Sequence, residues 1–321
     1  MPRISTTLTF IDRLGAWKVR WGVGRMHYMV PPGLYAIGNP NPDSPVLVTA
    51  NYKMSYDIVR SVLEGRNCWV LVLETYGINV WCAAGKGTFG TEELIRRIRI
   101  SELAEVVNHR QLVLPILGAA GVAAHKVTKQ TSFNIRYAAI RAEDIPEYLD
   151  NGMTTTPLMR EITFTTWERA VLIPVELAEA LKPTVIAAAV IFVVLAALHG
   201  RNTGLIAVYG YLGAVMAGIV VTPLFLPWLP GRSFAFKGVL TGLVWSMVFC
   251  VFAGGIGWSP FMAIAAFLTL PTISAFYALN FTGCTPFTSR SGVKKEMRIA
   301  LPAIACTLLV GVLVALLDII L

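Results

Sequence analysis

The residues best suited to chemistry lie in one glycine-rich stretch, residues 75–90, with the sequence TYGINVWCAAGKGTFG. Asn79 is a good helix N-cap, so residues 80–84 are predicted to form a short helix that the following glycines end. Cys82 then lies in the first turn, where unpaired backbone N–H groups and the helix dipole favour a thiolate. A thiolate is both a nucleophile and a soft metal ligand, so the pattern favours a functional cysteine.

The spacing of this stretch argues against two other kinds of site. Its glycines match G-x-G-x-x-G, but about ten residues separate them from the preceding predicted strand, which disfavours a nicotinamide or flavin site. A P-loop is excluded, because Val80 stands where its first glycine belongs and Gly87, not Ser or Thr, follows Lys86. One alternative stays open: Cys82 could be a buried packing residue covered by Trp81.

Apolar runs and amphipathic segments alternate on both sides of the stretch. Strands are predicted at residues 46–50, 69–73, 112–114 and 134–140, and helices at 55–63, 91–100 and 122–129. Such alternation predicts a Rossmann-like, mostly parallel α/β sheet. Because ligands bind at the carboxyl ends of parallel strands, the site is expected in the loops at residues 49–54, 75–90, 115–121 and 138–144.

The N-terminal segment, residues 10–30, has two interpretations. As a helix it presents one apolar stripe, with arginines and lysines elsewhere, that could lie on a membrane surface; the stripe consists of Phe10, Leu14, Trp17 and Trp21. As a β-hairpin edge it shows alternating apolar residues from Val19 to Val23.

Composition divides the chain of 321 residues, which is 55% hydrophobic and 14% charged. Residues 1–182 carry 37 charged side chains and residues 183–321 carry nine, whereas soluble domains average about 25% charged residues. This excludes one uniform soluble domain. We expect a cytoplasmic α/β domain at residues 1–165, a linker at 166–182 and an all-α membrane domain at 183–321.

The second part has enough uncharged length for five transmembrane helices, since each needs about 20 apolar residues. Six Lys and Arg residues lie in the loops on the side of the N-terminal domain, and one, Arg201, lies on the other. The positive-inside rule therefore predicts a multi-pass protein of the cytoplasmic membrane, with its first domain in the cytoplasm and its C-terminus outside. The positive charge thus reports orientation, and no nucleic-acid partner is expected.

The five cysteines, at positions 68, 82, 250, 284 and 306, form no CxxC pair. We therefore expect no iron–sulfur cluster in this chain.

Residues 79–87, NVWCAAGKG, resemble the signature of the membrane-anchored corrinoid protein of microbial mercury methylation. Residues 32–35 and 48–53 look like the start of the corrinoid-binding domain that this family shares with the large subunit of the corrinoid iron–sulfur protein of the acetyl-CoA pathway. Residues 114–122 with His125 look like its third ligand loop, and five membrane helices are also the family's arrangement.

The resemblance implies a cobalamin-type corrinoid, held base-off, with Cys82 as the catalytic residue and the lower axial ligand of cobalt. Asn79 would fix the helix that carries it, and Trp81 would shape the pocket. The cofactor-binding residues implied are Thr49, Asn51, Asn79, Val80, Trp81, Cys82, Ala83, Ala84, Gly85, Lys86, Gly87, Gly118, Gly121 and His125.

The implied function is corrinoid-dependent methyl transfer to inorganic mercury, Hg(II), forming methylmercury. The implied partners are a ferredoxin-like protein with two 4Fe–4S clusters, which supplies electrons, and a folate-linked methyltransferase system, which supplies methyl groups. Two alternatives remain: a membrane-anchored corrinoid carrier that methylates another acceptor, and a transporter with a cytoplasmic regulatory domain.

Overall fold

A computed structural model describes residues 1–320; Leu321 and the side chains of Ile256, Cys284, Arg290, Ile319 and Ile320 lie outside the described residues. The chain forms two compact units that divide between Thr163 and Phe164. We call residues 1–163 unit 1 and the residues from 164 onward unit 2.

Unit 1 contains a mixed sheet of six described strands. They are β1 (Arg3–Ile4), β2 (Gly33–Ile37), β3 (Val46–Ala50), β4 (Cys68–Leu73), β5 (Gln111–Leu114) and β6 (Asn134–Tyr137), in the spatial order β1-β2-β4-β3-β5-β6. The four predicted strands, β3, β4, β5 and β6, pair with one another in parallel, as expected. Strand β2 was not predicted, and it pairs antiparallel with β4.

The helices of unit 1 cover both faces of this sheet. They are α1 (Phe10–Arg20), α2 (Lys53–Val62), α3 (Val80–Lys86), α4 (Thr91–Ile100), α5 (Leu103–Val106), α6 (Ala124–Thr131) and α7 (Ile145–Asp150). All residues of β3 and β4 are buried, as is typical of parallel strands packed on both sides. Alternate residues face two apolar clusters, with Val48 in one and Leu47 in the other.

Two predictions about unit 1 are corrected. The hairpin interpretation of residues 10–30 is wrong, because Thr9 and Asp12 form a capping box that starts α1. The predicted strand at 134–140 ends at Tyr137. Beyond it, the backbone N–H of Ile140 donates to Met159 O at 2.9 Å, so the chain leaves the sheet to pair with a later segment.

Unit 2 is helical. Its helices are α8 (Thr166–Ala170), α9 (Ile173–His199), α10 (Arg201–Met216), α11 (Thr222–Leu224), α12 (Phe234–Phe252), α13 (Pro260–Asn280) and α14 (Arg290–Ile320). Within residues 1–320, five helical segments are long and apolar enough to cross a membrane. Residues 166–182, predicted as a linker, contribute α8 and the first part of α9, which contains Pro183 in its interior.

Small residues allow close packing within unit 2. A Cβ atom on Gly242 of α12 would lie 2.5 Å from the Cα atom of Pro271 on α13, and one on Gly238 would lie 2.6 Å from Ala275 Cα. Close backbone approach of this kind is a common way for apolar helices to associate without large side chains between them.

Candidate functional site

The short helix α3 follows β4 and carries Cys82, as the sequence predicts. Asn79 Oδ1 accepts a hydrogen bond from the backbone N–H of Cys82 at 2.9 Å, which caps the first turn. Gly87 ends the helix in the left-handed conformation with φ +84°. The capped helix is therefore confirmed, and it extends two residues further than predicted, to Lys86.

The side chains of α3 divide sharply by exposure. Ala83 and Ala84 are buried in the core of unit 1, whereas Cys82 is exposed and is a free thiol. Trp81 is 42% exposed. The alternative that Cys82 is a buried packing residue is therefore wrong, and its sulfur is accessible to a ligand.

An apolar cavity of about 300 Å³ lies at the carboxyl edge of the parallel strands, beside the first turn of α3. Its lining includes Thr49 from β3, Asn79, Val80 and Trp81 from α3 and its cap, and small residues after β6 such as Ala138. Four of the predicted site residues therefore meet at one cavity, at the edge where ligands of such sheets bind.

Asn51 organises the loop that leads into α3. Its Oδ1 atom accepts hydrogen bonds from Thr75 Oγ1 at 2.8 Å, from Thr75 N at 3.1 Å and from Gly77 N at 3.2 Å. Its Nδ2 atom donates to Glu74 Oε1 at 2.7 Å. Since Asn51 is buried and does not line the cavity, it acts on the site by fixing this loop.

The first turn of α4 is hydrogen-bonded to the loop before α3 and to the segment after β5. The sequence did not indicate these contacts. Glu93 Oε1 accepts from the backbone N–H of Glu74 at 2.9 Å, and Thr91 Oγ1 accepts from Ala123 N at 2.8 Å. Burial raises the pKa of Glu93, but the Glu74 N–H and the neighbouring Arg97 and Arg96 outweigh it and hold that pKa below its ordinary value. The carboxylate therefore stays charged and keeps its hydrogen bond to the loop.

Gly118 and Gly121 hold the segment after β5 against α3. A Cβ atom on Gly121 would lie 2.1 Å from Phe89 O and 2.9 Å from Ala84 Cα, and one on Gly118 would lie 2.6 Å from the Phe89 ring. Both glycines thus permit a close approach that supports the buried side of α3. Neither lines the cavity.

The remaining predicted residues, among them Cys82, Ala83 and Ala84, do not line the cavity. Gly85, Lys86 and Gly87, at the far end of α3, are exposed, and so is His125 on α6. Among the residues whose side chains the structure describes, no group of three or more His, Cys, Asp or Glu residues could hold a metal ion.

Comparisons with known proteins place relatives of unit 1 in acetyl-CoA metabolism. Residues 24–148 match the model of a family described as CO dehydrogenase/acetyl-CoA synthase delta subunit. The gamma subunit of the acetyl-CoA decarbonylase/synthase complex of Methanopyrus kandleri is 35% identical over 123 residues, which is 38% of this chain and 26% of the relative. That of Archaeoglobus fulgidus is 40% identical over 97 residues, 30% of this chain and 21% of the relative.

The family match covers strands β2 to β6, the residues that line the cavity and α3, and it stops before unit 2. The chain spans about a quarter or less of the length of the curated relatives it matches. The names of these relatives agree with the predicted similarity to a subunit from the acetyl-CoA pathway. None of these names refers to mercury methylation.

Proposed function

We propose that unit 1 binds a cobalt corrinoid and that the protein uses it to transfer a methyl group to Hg(II), forming methylmercury. The observation that carries the proposal is the position of Cys82: it is an exposed thiol in the first turn of a capped helix. The residues just before it, Asn79, Val80 and Trp81, line an apolar cavity at the carboxyl ends of parallel strands. The sequence around it, NVWCAAGKG, carries the resemblance to the mercury-methylation family.

The residues at this edge fit a corrinoid. The cavity is lined mainly by aliphatic side chains, including the small Ala138, Ala139 and Ala142, which a flat macrocycle can approach closely. At about 300 Å³ it is at the lower end for ligand pockets, so a corrinoid would extend from it along the open side beside α3. The donor is suitable too, since a thiolate is a soft ligand that holds a polarisable metal.

When bound, the corrinoid supplies a methyl group that its cobalt can deliver to an acceptor. Of the chain's own residues, Cys82 would hold the cobalt through its sulfur, and Asn79 fixes the backbone of the turn that carries Cys82. Asn51 holds the loop before α3, so the thiol has a defined position although it is exposed.

Electrons and methyl groups are proposed to come from partners. We infer a ferredoxin-like protein with two 4Fe–4S clusters as the electron donor and a folate-linked methyltransferase system as the methyl donor, both from the family resemblance. The chain has no CxxC pair and, among the residues described, no cysteine-rich cluster for an iron–sulfur centre of its own.

We further propose that unit 2 anchors the protein in the cytoplasmic membrane, with unit 1 in the cytoplasm. Five apolar helical segments support the anchor. The excess of Lys and Arg in the loops on the side of unit 1, six against one, supports the orientation.

The first test is the visible spectrum of the purified full chain with added corrinoid. The proposal predicts that wild type and Cys306→Ala, which removes another exposed thiol, give the same cobalt–thiolate band, and that Cys82→Ala lacks it. A wild-type chain that retains no corrinoid, or a Cys82→Ala variant with an unchanged spectrum, contradicts the proposal.

The second test compares acceptors. Full chain, ferredoxin-like partner and methyl donor are combined with Hg(II) or with other methyl acceptors, and products are measured by mass spectrometry. Methylation of Hg(II) that requires Cys82 supports the mercury function, whereas methylation of a different acceptor alone supports the carrier alternative. Cys82-independent uptake of a solute by vesicles that contain the protein would favour the transporter alternative.

A further inference from the structure

Helix α1 leaves an apolar face uncovered. We call this face the α1 stripe; it consists of Phe10, Leu14, Trp17 and Trp21, whose exposed fractions are 78%, 39%, 63% and 39%. At 3.6 residues per turn, these four positions fall within a narrow sector of the helix. Val19, on the opposite side, is only 1% exposed and packs into unit 1.

Ion pairs fix the direction in which the stripe faces. Asp12 Oδ1 lies 2.5 Å from Lys53 Nζ, and Asp12 Oδ2 lies 2.8 Å from an Arg60 guanidinium nitrogen, so α1 is bound to α2. Asp57 of α2 completes the cluster with both cations. Since Asp12 lies near Val19 around the helix, these contacts hold the stripe pointing away from unit 1.

Positive charge borders the stripe on both sides. Arg13 and Lys18 are exposed, flank the apolar sector in opposite directions around the helix, and form no ion pair among the described residues. The acidic residue of α1, Asp12, is already neutralised by Lys53 and Arg60. The face therefore combines aromatic side chains with two flanking cations, which is the pattern of helices that lie in a membrane interface.

We propose that the α1 stripe inserts into the headgroup region of the membrane that holds unit 2, on its anionic cytoplasmic face. This inference rests on the proposed membrane location of unit 2. Residues 164–182 connect unit 1 to the predicted membrane domain, so the chain tethers unit 1 to the membrane that holds unit 2. Tryptophan prefers the membrane–water interface, and Arg13 and Lys18 match anionic phospholipid headgroups in charge.

The membrane contact would also orient the candidate site. Gly77, in the loop that leads into α3, approaches the segment after α1 so closely that a Cβ atom on it would lie 3.0 Å from Met29 Cγ and 3.1 Å from Met26 O. Insertion of the stripe would therefore fix the direction in which α3, with Cys82, faces the partners in the cytoplasm.

The test uses the full chain in vesicles of phosphatidylcholine with phosphatidylglycerol. In a background in which Cys82, Cys250, Cys284 and Cys306 are replaced by alanine and only the buried Cys68 is kept, an environment-sensitive fluorophore is attached at Trp17→Cys. The matched control is Glu92→Cys, an exposed position in the first turn of α4. Doxyl-labelled lipids report contact with lipid, and aqueous iodide reports exposure to water.

We expect lipid quenching of the label at position 17 to exceed that at position 92 by about twofold or more, because the stripe lies within the interface. Charge reversal by Arg13→Glu with Lys18→Glu should reduce this quenching, as should vesicles without phosphatidylglycerol. A label at 17 that iodide quenches as strongly as at 92 overturns the proposal. So does a label shielded from both quenchers, which would mean that protein covers the stripe.

A third label separates this proposal from the membrane location of unit 2. Val193 of α9 is 63% exposed and apolar, so Val193→Cys should be quenched by lipid if unit 2 spans the bilayer. Lipid quenching at 193 but not at 17 overturns the α1 proposal alone. Its absence at both positions overturns the membrane anchor as well.

Discussion

The substitution Gly121→Ala tests whether the segment after β5 supports α3. The added methyl group would lie 2.1 Å from Phe89 O and 2.9 Å from Ala84 Cα, both backbone atoms that cannot rotate away. Overpacking of this kind costs about 1–3 kcal/mol, and contact with backbone places Gly121→Ala near the upper end. The smaller entropy of the unfolded alanine chain offsets up to about 1 kcal/mol. We therefore expect unit 1 to lose about 2 kcal/mol of its free energy of unfolding.

Alkylation of Cys68 provides the assay, because this thiol is fully buried in β4 and reacts only when unit 1 opens. With a urea m value of about 2 kcal/mol/M, the midpoint for Gly121→Ala should fall by about 1 M. Gly85→Ala is the matched control, since its Cβ atom meets nothing within 4 Å and alanine is the better helix former by about 1 kcal/mol. Equal midpoints for the two variants would refute the packing argument.

Three further predictions concern unit 1. The substitution Asn51→Asp removes the hydrogen-bond donor to Glu74 and places two carboxylates next to each other. The loop before α3 should therefore lose about 2 kcal/mol of protection against hydrogen exchange. Unchanged exchange rates in this loop would contradict the prediction. The pKa of Asp12 lies below its ordinary value, because hydrogen bonds from Lys53, Thr9 and Arg60 outweigh the opposing effect of burial. The charged Asp12 side chain therefore stabilises unit 1 above about pH 4, and this stabilisation is lost as the pH falls below that value. The melting temperature of unit 1 should fall in acid, and it should depend less on pH in the Asp12→Asn variant. Burial raises the pKa of Cys68 to about 11 from 9.0, which makes its thiolate about a hundredfold rarer at pH 8. Peptide mapping should find maleimide on Cys82 long before Cys68, and comparable rates would be evidence against the described burial.

The sequence predicted α3 well because every signal for it is local. Asn79 as the cap and Gly87 as the left-handed end lie within nine residues of each other, and they act on the backbone at the two ends of the same short helix. The parallel strands were predicted for a similar reason, since fully buried strands such as β3 read as short unbroken apolar runs.

What the sequence could not indicate depends on distant partners. Residues 10–30 fitted a helix or a hairpin, and the ion pairs of Asp12 with Lys53 and Arg60, which lie 41 and 48 positions away, help to hold the helix in place. The roles of Asn51 and Gly121 were likewise hidden. The sequence suggested only a cofactor contact for each, which stays a prediction. The structure adds that Asn51 bonds to a loop 24 residues on and that Gly121 lies close to Phe89.

These contacts explain how an exposed thiol can also be well positioned. A helix of seven residues such as α3 is marginal by itself, so its geometry must come from packing. Ala83 and Ala84 supply the buried side, and Gly121 lets the neighbouring segment close against it. A ligand to a cofactor has to be held rigidly by groups that do not themselves touch the cofactor. Substitution of Gly121 should therefore weaken the proposed corrinoid binding at Cys82 by displacing the helix, even though Gly121 does not line the cavity.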